Sequence, residues 1–345
     1  MARPTVVRVS ALPDAEDELA GLVERARGLE KAAVSRLIGV FEDSRPTAAD
    51  DRARVLAALD AGGDDDGCVV LGVTGTPGSG KSSLLARLTI DALAADPDLS
   101  IAVVAIDPSS AISGGSLLGD RTRMRTPVDE RRLYFRSQAS ATELGGLSPS
   151  TFQVCRLLTR LFACVVVETV GIGQSEADVR HLADRVYLVL QPLGGDEVQF
   201  LKAGIIEVPD VFILNKCDEP SAESSYHQLK GSLGLARPFD AEPPEIHRTS
   251  ARTGAGLPEL TDAVLAAIAT TTPRRHAERE PHFLERWVED EWGRQGRRHL
   301  VDVLGGAGPH LAASGGFDAA QVVFDQSIRA ALATGAGPAE GNDEG

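Results

Sequence analysis

The chain has 345 residues, of which 43% are hydrophobic and 25% charged, and this is ordinary usage for a globular protein. Its 35 glycines and 19 prolines are too few for a largely disordered or collagen-like chain. The net charge of −15 disfavours sequence-general binding of nucleic acid, and we interpret the basic run at 121–132 as a solvated face. We expect a folded protein with a sizeable core, one to three domains and no nucleic-acid partner.

The cysteines are far apart in the chain and form no CxxC pair: Cys68, Cys155, Cys164 and Cys217. Neither a zinc site nor a disulfide framework is indicated, so we expect free thiols in a reducing compartment. No stretch approaches the roughly 18–20 consecutive apolar residues of a membrane helix. The N-terminus turns acidic where a signal peptide would need an apolar stretch. We therefore expect a soluble, cytoplasmic protein with no membrane partner.

Residues 1–66 are predicted to form a helical N-terminal arm. Apolar residues recur there at spacings of three and four, which is the pattern of one buried helix face. Arg45-Pro46 interrupts this pattern, because the residue before a proline disfavours the helical conformation. A second amphipathic piece begins at Asp50, and the acidic, glycine-containing run at 61–67 is typical of a flexible linker.

Residues 67–272 have the alternating sequence pattern of an α/β domain. Short, continuous apolar runs at 68–73, 101–106, 164–167, 186–190 and 211–214 alternate with helical patterns. Such runs are typical of strands that are buried on both faces. A short strand at 246–249 and a helix at 257–268 would close the domain. The predicted fold class is α/β, with a mostly parallel sheet flanked by helices.

The remaining residues, 273–345, are predicted to form a helical C-terminal extension. Phe283, Trp287 and Trp292 lie on an amphipathic pattern that is interrupted by glycines before a last helix at 319–332. These aromatic side chains would be exposed unless they pack within the chain or against a second copy. We predict that the extension dimerises, with burial inside the chain as the alternative.

A phosphate-binding loop is predicted directly after the strand at 69–73. The sequence matches GxxxxGK[ST] and precedes a helical pattern, so backbone N–H groups at a helix N-terminus would face the phosphates. Lys81 would reach the β- and γ-phosphates, and the Ser82 hydroxyl could bind magnesium. The predicted loop residues are Gly75, Thr76, Pro77, Gly78, Ser79, Gly80, Lys81, Ser82 and Ser83.

Two further segments predict recognition of guanine. Asn215-Lys216-Cys217-Asp218 follows the strand at 211–214, and an Asp in this NKxD pattern accepts from two guanine N–H groups that adenine does not offer together. Thr249-Ser-Ala follows another predicted strand and resembles the loop that contacts guanine O6. For Ser250 and Ala251, a plain turn at the end of a strand stays open as the alternative.

Three carboxylates are candidates for the metal and catalytic site. Glu168 and Asp107 each end a predicted strand in the crevice where open α/β sheets bind ligands. Gly171 could donate its N–H to the γ-phosphate. Asp120 completes the acidic set, although a solvated loop carboxylate is an equally good interpretation of that residue.

The residues at 106–124, 144–148, 167–176 and 202–205 together resemble the methylmalonyl-CoA mutase-associated GTPases, which are related to metallochaperone GTPases. The resemblance implies a GTPase chaperone of a coenzyme B12-dependent acyl-CoA mutase. Such a chaperone gates adenosylcobalamin delivery, protects or reactivates the mutase, forms homodimers, and uses GTP with Mg²⁺.

The resemblance also implies roles for single residues. Lys81 and Ser82 would contact the phosphates and the magnesium ion. The metal and the attacking water would be surrounded by Asp107, Asp120 and Glu168. Residues 191–202 resemble an additional switch that senses the mutase, in which Lys202 or Asp196 could stabilise charge or orient water.

Several alternatives stay open from the sequence. Departures from the family pattern at 111–113 and 157–163 allow a close relative of methylmalonyl-CoA mutase, such as an isobutyryl-CoA or hydroxyacyl-CoA mutase, as the partner. A nickel metallochaperone GTPase shares this nucleotide site, but the scattered histidines and cysteines offer no ligand set. An amino-acid transport ATPase and a kinase are the less favoured interpretations.

Overall fold

The computed structural model describes residues 12, 16–43, 45, 48–61, 67–107, 130–139, 147–169, 175–192, 208–236 and 244–334. Contacts divide the chain into two compact units. The helical unit comprises Met1–Asp64, Pro149–Leu157 and Arg274–Gly345, and the sheet unit comprises Asp65–Ser148 and Leu158–Pro273. Among the described residues, none of the helices combines the length and apolar character that crossing a bilayer would require.

The sheet unit contains a seven-stranded sheet in which every pair of neighbouring strands is parallel. Its order is β3-β2-β4-β1-β5-β6-β7. The strands are β1 (Val69–Gly75), β2 (Ile101–Asp107), β3 (Leu133–Ala139), β4 (Cys164–Glu168), β5 (Arg185–Leu190), β6 (Val211–Leu214) and β7 (Glu245–Arg248). The helices of this unit include α4 (Lys81–Ala95), α6 (Ser175–Leu182), α7 (Ala222–Ala236) and α8 (Leu257–Thr270). The predicted α/β fold class is confirmed.

The central strands form where the sequence has its continuous apolar runs. Every residue of β1, β4 and β6 is buried, as strands covered on both faces require. Leu84 and Leu88 of α4 and Leu260 of α8 belong to the same core as Leu71 and Val166 of the sheet. Burial on both faces selects the β-branched and aliphatic residues by which these strands were predicted.

The strand β3 was missed by the sequence analysis. It lies at one edge of the sheet and pairs with β2 alone. Its central residues Phe135, Arg136 and Ser137 are only partly buried, so the strand lacks the continuous apolar run of its neighbours. An edge strand tolerates such polar residues because one side carries no further strand.

The helical unit is built from segments that are distant in the sequence. Its helices are α1 (Glu16–Arg27), α2 (Lys31–Phe41), α3 (Ala48–Asp60), α5 (Pro149–Leu158, with residues 149–157 assigned to this unit), α9 (His276–Asp302), α10 (Ala307–Ser314) and α11 (Phe317–Ala333). The N-terminal arm has one more break than predicted. It lies just after α1, at Leu29, where the backbone has a left-handed φ of 55°. Gly293, with φ 56° and ψ −149°, interrupts α9.

The aromatic residues of the C-terminal extension pack inside their own unit. Phe283 stacks on Phe152 of α5 with ring centroids 4.4 Å apart, and both rings are fully buried. Trp287 meets Phe324 edge-on at 5.7 Å. The alternative given above, burial within the chain, therefore accounts for Phe283. Exposed aromatic side chains therefore no longer argue for a dimer. Dimerisation stays a prediction from the resemblance.

A buried ionic network ties α3 and α5 to α11. Asp318 accepts hydrogen bonds from Arg52 Nε at 2.6 Å, Arg156 Nη1 at 2.7 Å and Gln153 Nε2 at 3.1 Å. Burial alone would raise the pKa of Asp318, but the two guanidinium groups outweigh it and hold that pKa below its ordinary value. This carboxylate balances the charge of two buried cations.

We expect Asp318→Asn to destabilise the helical unit by roughly 3–5 kcal/mol, because two buried arginines would lose their counter-charge. Both tryptophans of the chain, Trp287 and Trp292, lie in α9, so tryptophan fluorescence during urea unfolding reports on this unit. The matched control is Asp325→Asn on the same helix, where Asp325 pairs with an exposed arginine and should change stability by less than about 1 kcal/mol. Equal shifts in the two variants would contradict the assignment.

The buried side chain of His299 makes the stability of this unit depend on pH. His299 contacts Ser327 Oγ at 2.8 Å, and His310 Nε2 donates to the Ala320 carbonyl at 2.9 Å. Burial, followed by the nearby charge of His310, lowers the pKa of His299 below 6.5. Because the unfolded chain then takes up the proton more readily, this stability is present above pH 6.5 and is lost as the pH falls below it.

We therefore expect the free energy of unfolding, measured by urea unfolding with tryptophan fluorescence, to fall between about pH 7 and pH 5.5. The fall should be at most about 1.4 kcal/mol per pH unit for one proton. His299→Gln should flatten this dependence. His227→Gln, which removes an exposed histidine on α7, is the control and should leave it unchanged. A His299→Gln protein that keeps the full pH dependence would show that His299 is not the group responsible.

Candidate functional site

The candidate site lies at the carboxyl ends of the central strands. Since the strands are parallel, β1, β4, β5 and β6 all end at the same edge of the sheet. The phosphate loop follows β1, Glu168 ends β4 and Asn215 follows β6. In the pairing register Val73 lies opposite Glu168, which places the carboxylate next to the start of the loop. This is the edge at which open α/β sheets bind ligands.

The phosphate loop adopts a backbone that requires its glycines. Gly75, Gly78 and Gly80 have φ values of 147°, 81° and 85°, where L-residues with side chains are strained. A Cβ on Gly75 would come within 2.0 Å of the Val189 carbonyl oxygen of β5. The helix α4 begins at Lys81, directly after Gly80, so its first N–H groups are placed for an anion.

Several buried polar groups of the loop fit a phosphate ligand. Lys81 is buried, and its ammonium donates to the carbonyls of Gly75 at 2.7 Å and Thr76 at 3.2 Å. The hydroxyls of Thr76, Ser79 and Thr169 are buried without a hydrogen-bond partner in the described part of the chain. Buried hydroxyls without partners are costly, and phosphate oxygens could accept from them.

The oxygen atoms beside the loop fit a magnesium ion. The Ser82 hydroxyl donates to Glu168 Oε1 at 2.8 Å, and Glu168 is buried at the end of β4. Hydroxyl and carboxylate oxygens are the ligands that Mg²⁺ prefers. Asp107 ends β2, but its side chain lies outside the described residues. Within the described ranges, no group of three or more His, Cys, Asp or Glu residues is placed to hold a metal.

Asn215 joins the phosphate loop to the two segments predicted to recognise guanine. Its side-chain Nδ2 donates to the Ser79 carbonyl at 2.8 Å, while its Oδ1 accepts from the Ala251 backbone N–H at 3.1 Å. The next residue, Lys216, has a left-handed φ of 58° and donates through Nζ to Gln191 Oε1 at 2.7 Å. The predicted motifs therefore share one set of hydrogen bonds.

Asp218 is an ionised acceptor at the end of this set. Its carboxylate accepts from the Ser250 hydroxyl and from the Arg252 guanidinium. The hydrogen bond from Ser250 in particular, with Arg252 adding to it, holds the pKa of Asp218 below its ordinary value. A carboxylate that is ionised at neutral pH can accept from both N–H groups on the edge of a guanine ring.

The structure brings the phosphate-loop residues, Glu168, Asn215, Lys216, Asp218, Ser250 and Ala251 to one edge of the sheet unit. Asp120, Gly171 and Lys202 lie outside the described residues. The sequence does not predict the contact of Arg252, and it predicts Gln191 only as the start of the switch-like segment. No sequence signal marks either contact, because both join residues that are far apart in the chain.

Comparison with known proteins finds a family match over most of the chain. The family model described as methylmalonyl Co-A mutase-associated GTPase MeaB matches residues 34–294. GTPase ArgK of Escherichia coli (strain K12) is 32% identical over 293 residues, which cover 83% of this chain and 87% of that protein. A Mus musculus protein, the mitochondrial methylmalonic aciduria type A homolog, is 35% identical over 199 residues, 56% of this chain and 48% of that protein.

A solved structure has a similar fold. The crystal structure of LAO/AO transport system kinase superposes with a TM-score of 0.58, covering 95% of this chain and 96% of that chain. The sequence identity is 23%, so this likeness concerns the fold alone.

We expect Gly80→Ala to weaken nucleotide binding by about five- to thirtyfold, since a left-handed φ costs an L-residue about 1–2 kcal/mol. The added Cβ would also lie 2.7 Å from Asn215 Nδ2, which is held in place by Ser79 and Ala251. Gly231→Ala, in the middle of α7 with open space around it, is the matched control and should bind normally. Titration of a fluorescent guanine nucleotide measures both, and normal binding by Gly80→Ala would contradict the assigned loop geometry.

Proposed function

Because this chain belongs to the family of methylmalonyl-CoA mutase-associated GTPases, we propose that it is a GTP-hydrolysing chaperone of a coenzyme B12-dependent acyl-CoA mutase. Membership makes the chain a P-loop GTPase that binds GTP and GDP. The proposal adds that it gates the loading of adenosylcobalamin and protects or reactivates the mutase. The observation that carries it is the family match over 34–294, and the relationship to the mouse methylmalonic aciduria homolog supports it.

The nucleotide is held mainly by groups that are already in place. The ammonium of Lys81, which contacts the Gly75 and Thr76 carbonyls, would turn to the β- and γ-phosphates. Backbone N–H groups at the start of α4 would donate to the same phosphates. Positioning and charge neutralisation, rather than covalent chemistry, are what phosphoryl transfer demands of a protein.

Magnesium completes the proposed site. Ser82 and Glu168 would hold it, together with Asp107 and Asp120 at positions implied by the resemblance. When bound, the metal supplies positive charge to the β- and γ-phosphates. Glu168→Ala is therefore expected to cut turnover by orders of magnitude.

The partner-facing part of the proposal rests on the resemblance. Residues 191–202 would sense the mutase, with Lys202 stabilising charge or orienting water during hydrolysis. We include in the proposal a homodimer formed through the C-terminal extension and a cytoplasmic location. Methylmalonyl-CoA mutase or a close relative is the proposed partner.

The base preference is tested by Asp218→Asn. This change should lower affinity for GDP by about 1–3 kcal/mol, because guanine donors lose their carboxylate acceptor. The Asn amide could instead donate to the C2 carbonyl of xanthine and accept from its ring N–H, so affinity for XDP should rise. Glu219→Gln, which removes an exposed neighbouring carboxylate, is the control. Calorimetry that finds unchanged GDP affinity in Asp218→Asn would remove Asp218 from the base site.

The chaperone proposal is tested by GTP turnover with and without purified methylmalonyl-CoA mutase from the same cell. We expect the mutase to accelerate hydrolysis and Lys202→Ala to lose that acceleration while keeping nucleotide binding. Lys81→Ala should have no turnover in either condition. The proposed partnership would be refuted if the mutase does not bind this chain in its GTP or GDP state and does not change its GTP turnover. The GTPase activity itself would not be refuted by that result.

A further inference from the structure

The carboxylate that would recognise guanine is occupied by a side chain of the same loop system. Asp218 accepts from Ser250 through Oδ1 and from Arg252 through Oδ2. The two partners differ in their surroundings, since Ser250 is fully buried whereas the Arg252 side chain is 77% exposed. Arg252 therefore reaches the carboxylate from the solvent side, and the Asp218 side chain beneath it is only 15% exposed.

The backbone that carries Arg252 is fixed by its own hydrogen bonds. Ser250 N–H donates to the Ala255 carbonyl at 2.9 Å, and Gly254 N–H donates back to the Ser250 carbonyl at 2.8 Å. The Ser250 hydroxyl accepts from the Thr253 N–H at 3.1 Å while donating to Asp218. Ser250 is thus part of the loop, and the Arg252 side chain is the partner of Asp218 that can move without disturbing the loop.

Guanine and Arg252 need the same acceptor. The guanine edge offers a ring N–H and an exocyclic amine, and these two donors need both oxygens of a carboxylate. A buried hydroxyl can share Oδ1, because a carboxylate oxygen accepts more than one hydrogen bond. The guanidinium lies on Oδ2 at the solvent side, from which a base would approach. The conflict is therefore one of space, because the base and the guanidinium would have to lie on the same side of the carboxylate.

We propose that Arg252 is an intramolecular competitor of guanine, which caps Asp218 in the nucleotide-free protein and must swing into solvent before the base can bind. This inference rests on the proposed guanine site. It gives Arg252 a role in setting nucleotide affinity that neither the phosphate loop nor the family match assigns. Asp218 thereby keeps a counter-charge whenever the base site is empty.

The competition has a kinetic consequence. When the competent state is only part of the population, the apparent affinity falls by that fraction. Exposed ion pairs are weak, so the uncapped fraction should be about one-fifth to one-half, and removing Arg252 should raise the association rate constant about two- to fivefold. The dissociation rate constant should not change, because Arg252 is away from Asp218 in the bound state.

The experiment uses stopped-flow fluorescence with the full-length chain and a fluorescent GDP analogue, followed by chase with unlabelled GDP. The variants are Arg252→Ala and Arg252→Gln, both at an exposed position where loss of folding is not expected. The matched control is Arg248→Ala, which removes the same charge four residues earlier, where the arginine pairs with Glu223 and lies over Tyr226. The control separates the contact with Asp218 from a general change in net charge.

Ionic strength provides a second arm. Raising the salt from about 50 mM to about 500 mM shortens the screening length severalfold and weakens an exposed ion pair. The difference in association rate constant between wild type and Arg252→Ala should therefore shrink at high salt. If the cap does not exist, the ratio of the two rate constants should not change with salt.

The inference is supported if both Arg252 variants associate faster than Arg248→Ala, with an unchanged dissociation rate and a smaller difference at high salt. It is overturned if association is unchanged, or if the variants release nucleotide faster, since Arg252 would then contact the bound base. A wild-type chain that binds no guanine nucleotide would overturn the proposed guanine site as well. Normal GDP binding with no effect of Arg252 would overturn the cap alone.

Discussion

The parallel direction of the seven strands is the constraint on which the nucleotide site depends. It brings Gly75, Glu168 and Leu214 to one edge, although they are distant in the sequence. The close approach of β1 and β5 then dictates residue type, because a Cβ at Gly75 would overlap the Val189 carbonyl. Phosphate binding also needs backbone N–H groups that no side chain covers. Sheet packing and ligand recognition thus select glycine at this position for two independent reasons.

The sequence predicted those parts of the fold in which burial leaves a local trace. Strands covered on both faces, such as β1 and β4, are continuous apolar runs and were found within two residues of their ends. The edge strand β3 carries Arg136 and Ser137 and has no such run. Helix α5 was missed for another reason: Phe152 and Arg156 are matched to Phe283 and Asp318, more than one hundred residues away. No local pattern records a partner at that distance.

In the site, too, features set by adjacent residues were predicted, and contacts between distant residues were not. The phosphate loop and the NKxD segment are local motifs whose chemistry follows from adjacent residues, and each was placed correctly at the end of a strand. What the sequence could not provide were the bonds between motifs, such as Ser82 to Glu168 and Asn215 to Ser79. Those bonds hold the motifs of the site together.

The helical unit also constrains how its own assembly can be studied. Its core is completed by residues 149–157, which lie between two strands of the sheet in the sequence. Cutting the chain near residue 272 would remove Phe283 and Asp318, leaving Phe152 and Arg156 of α5 without their buried partners. An unpaired buried arginine and an exposed phenylalanine both promote unfolding or non-specific association. Loss of a dimer in such a truncated chain would therefore not report on an interface. Dimerisation is better tested with the full chain, by substituting exposed residues of α9 such as Glu289 or Arg297 that the core does not use.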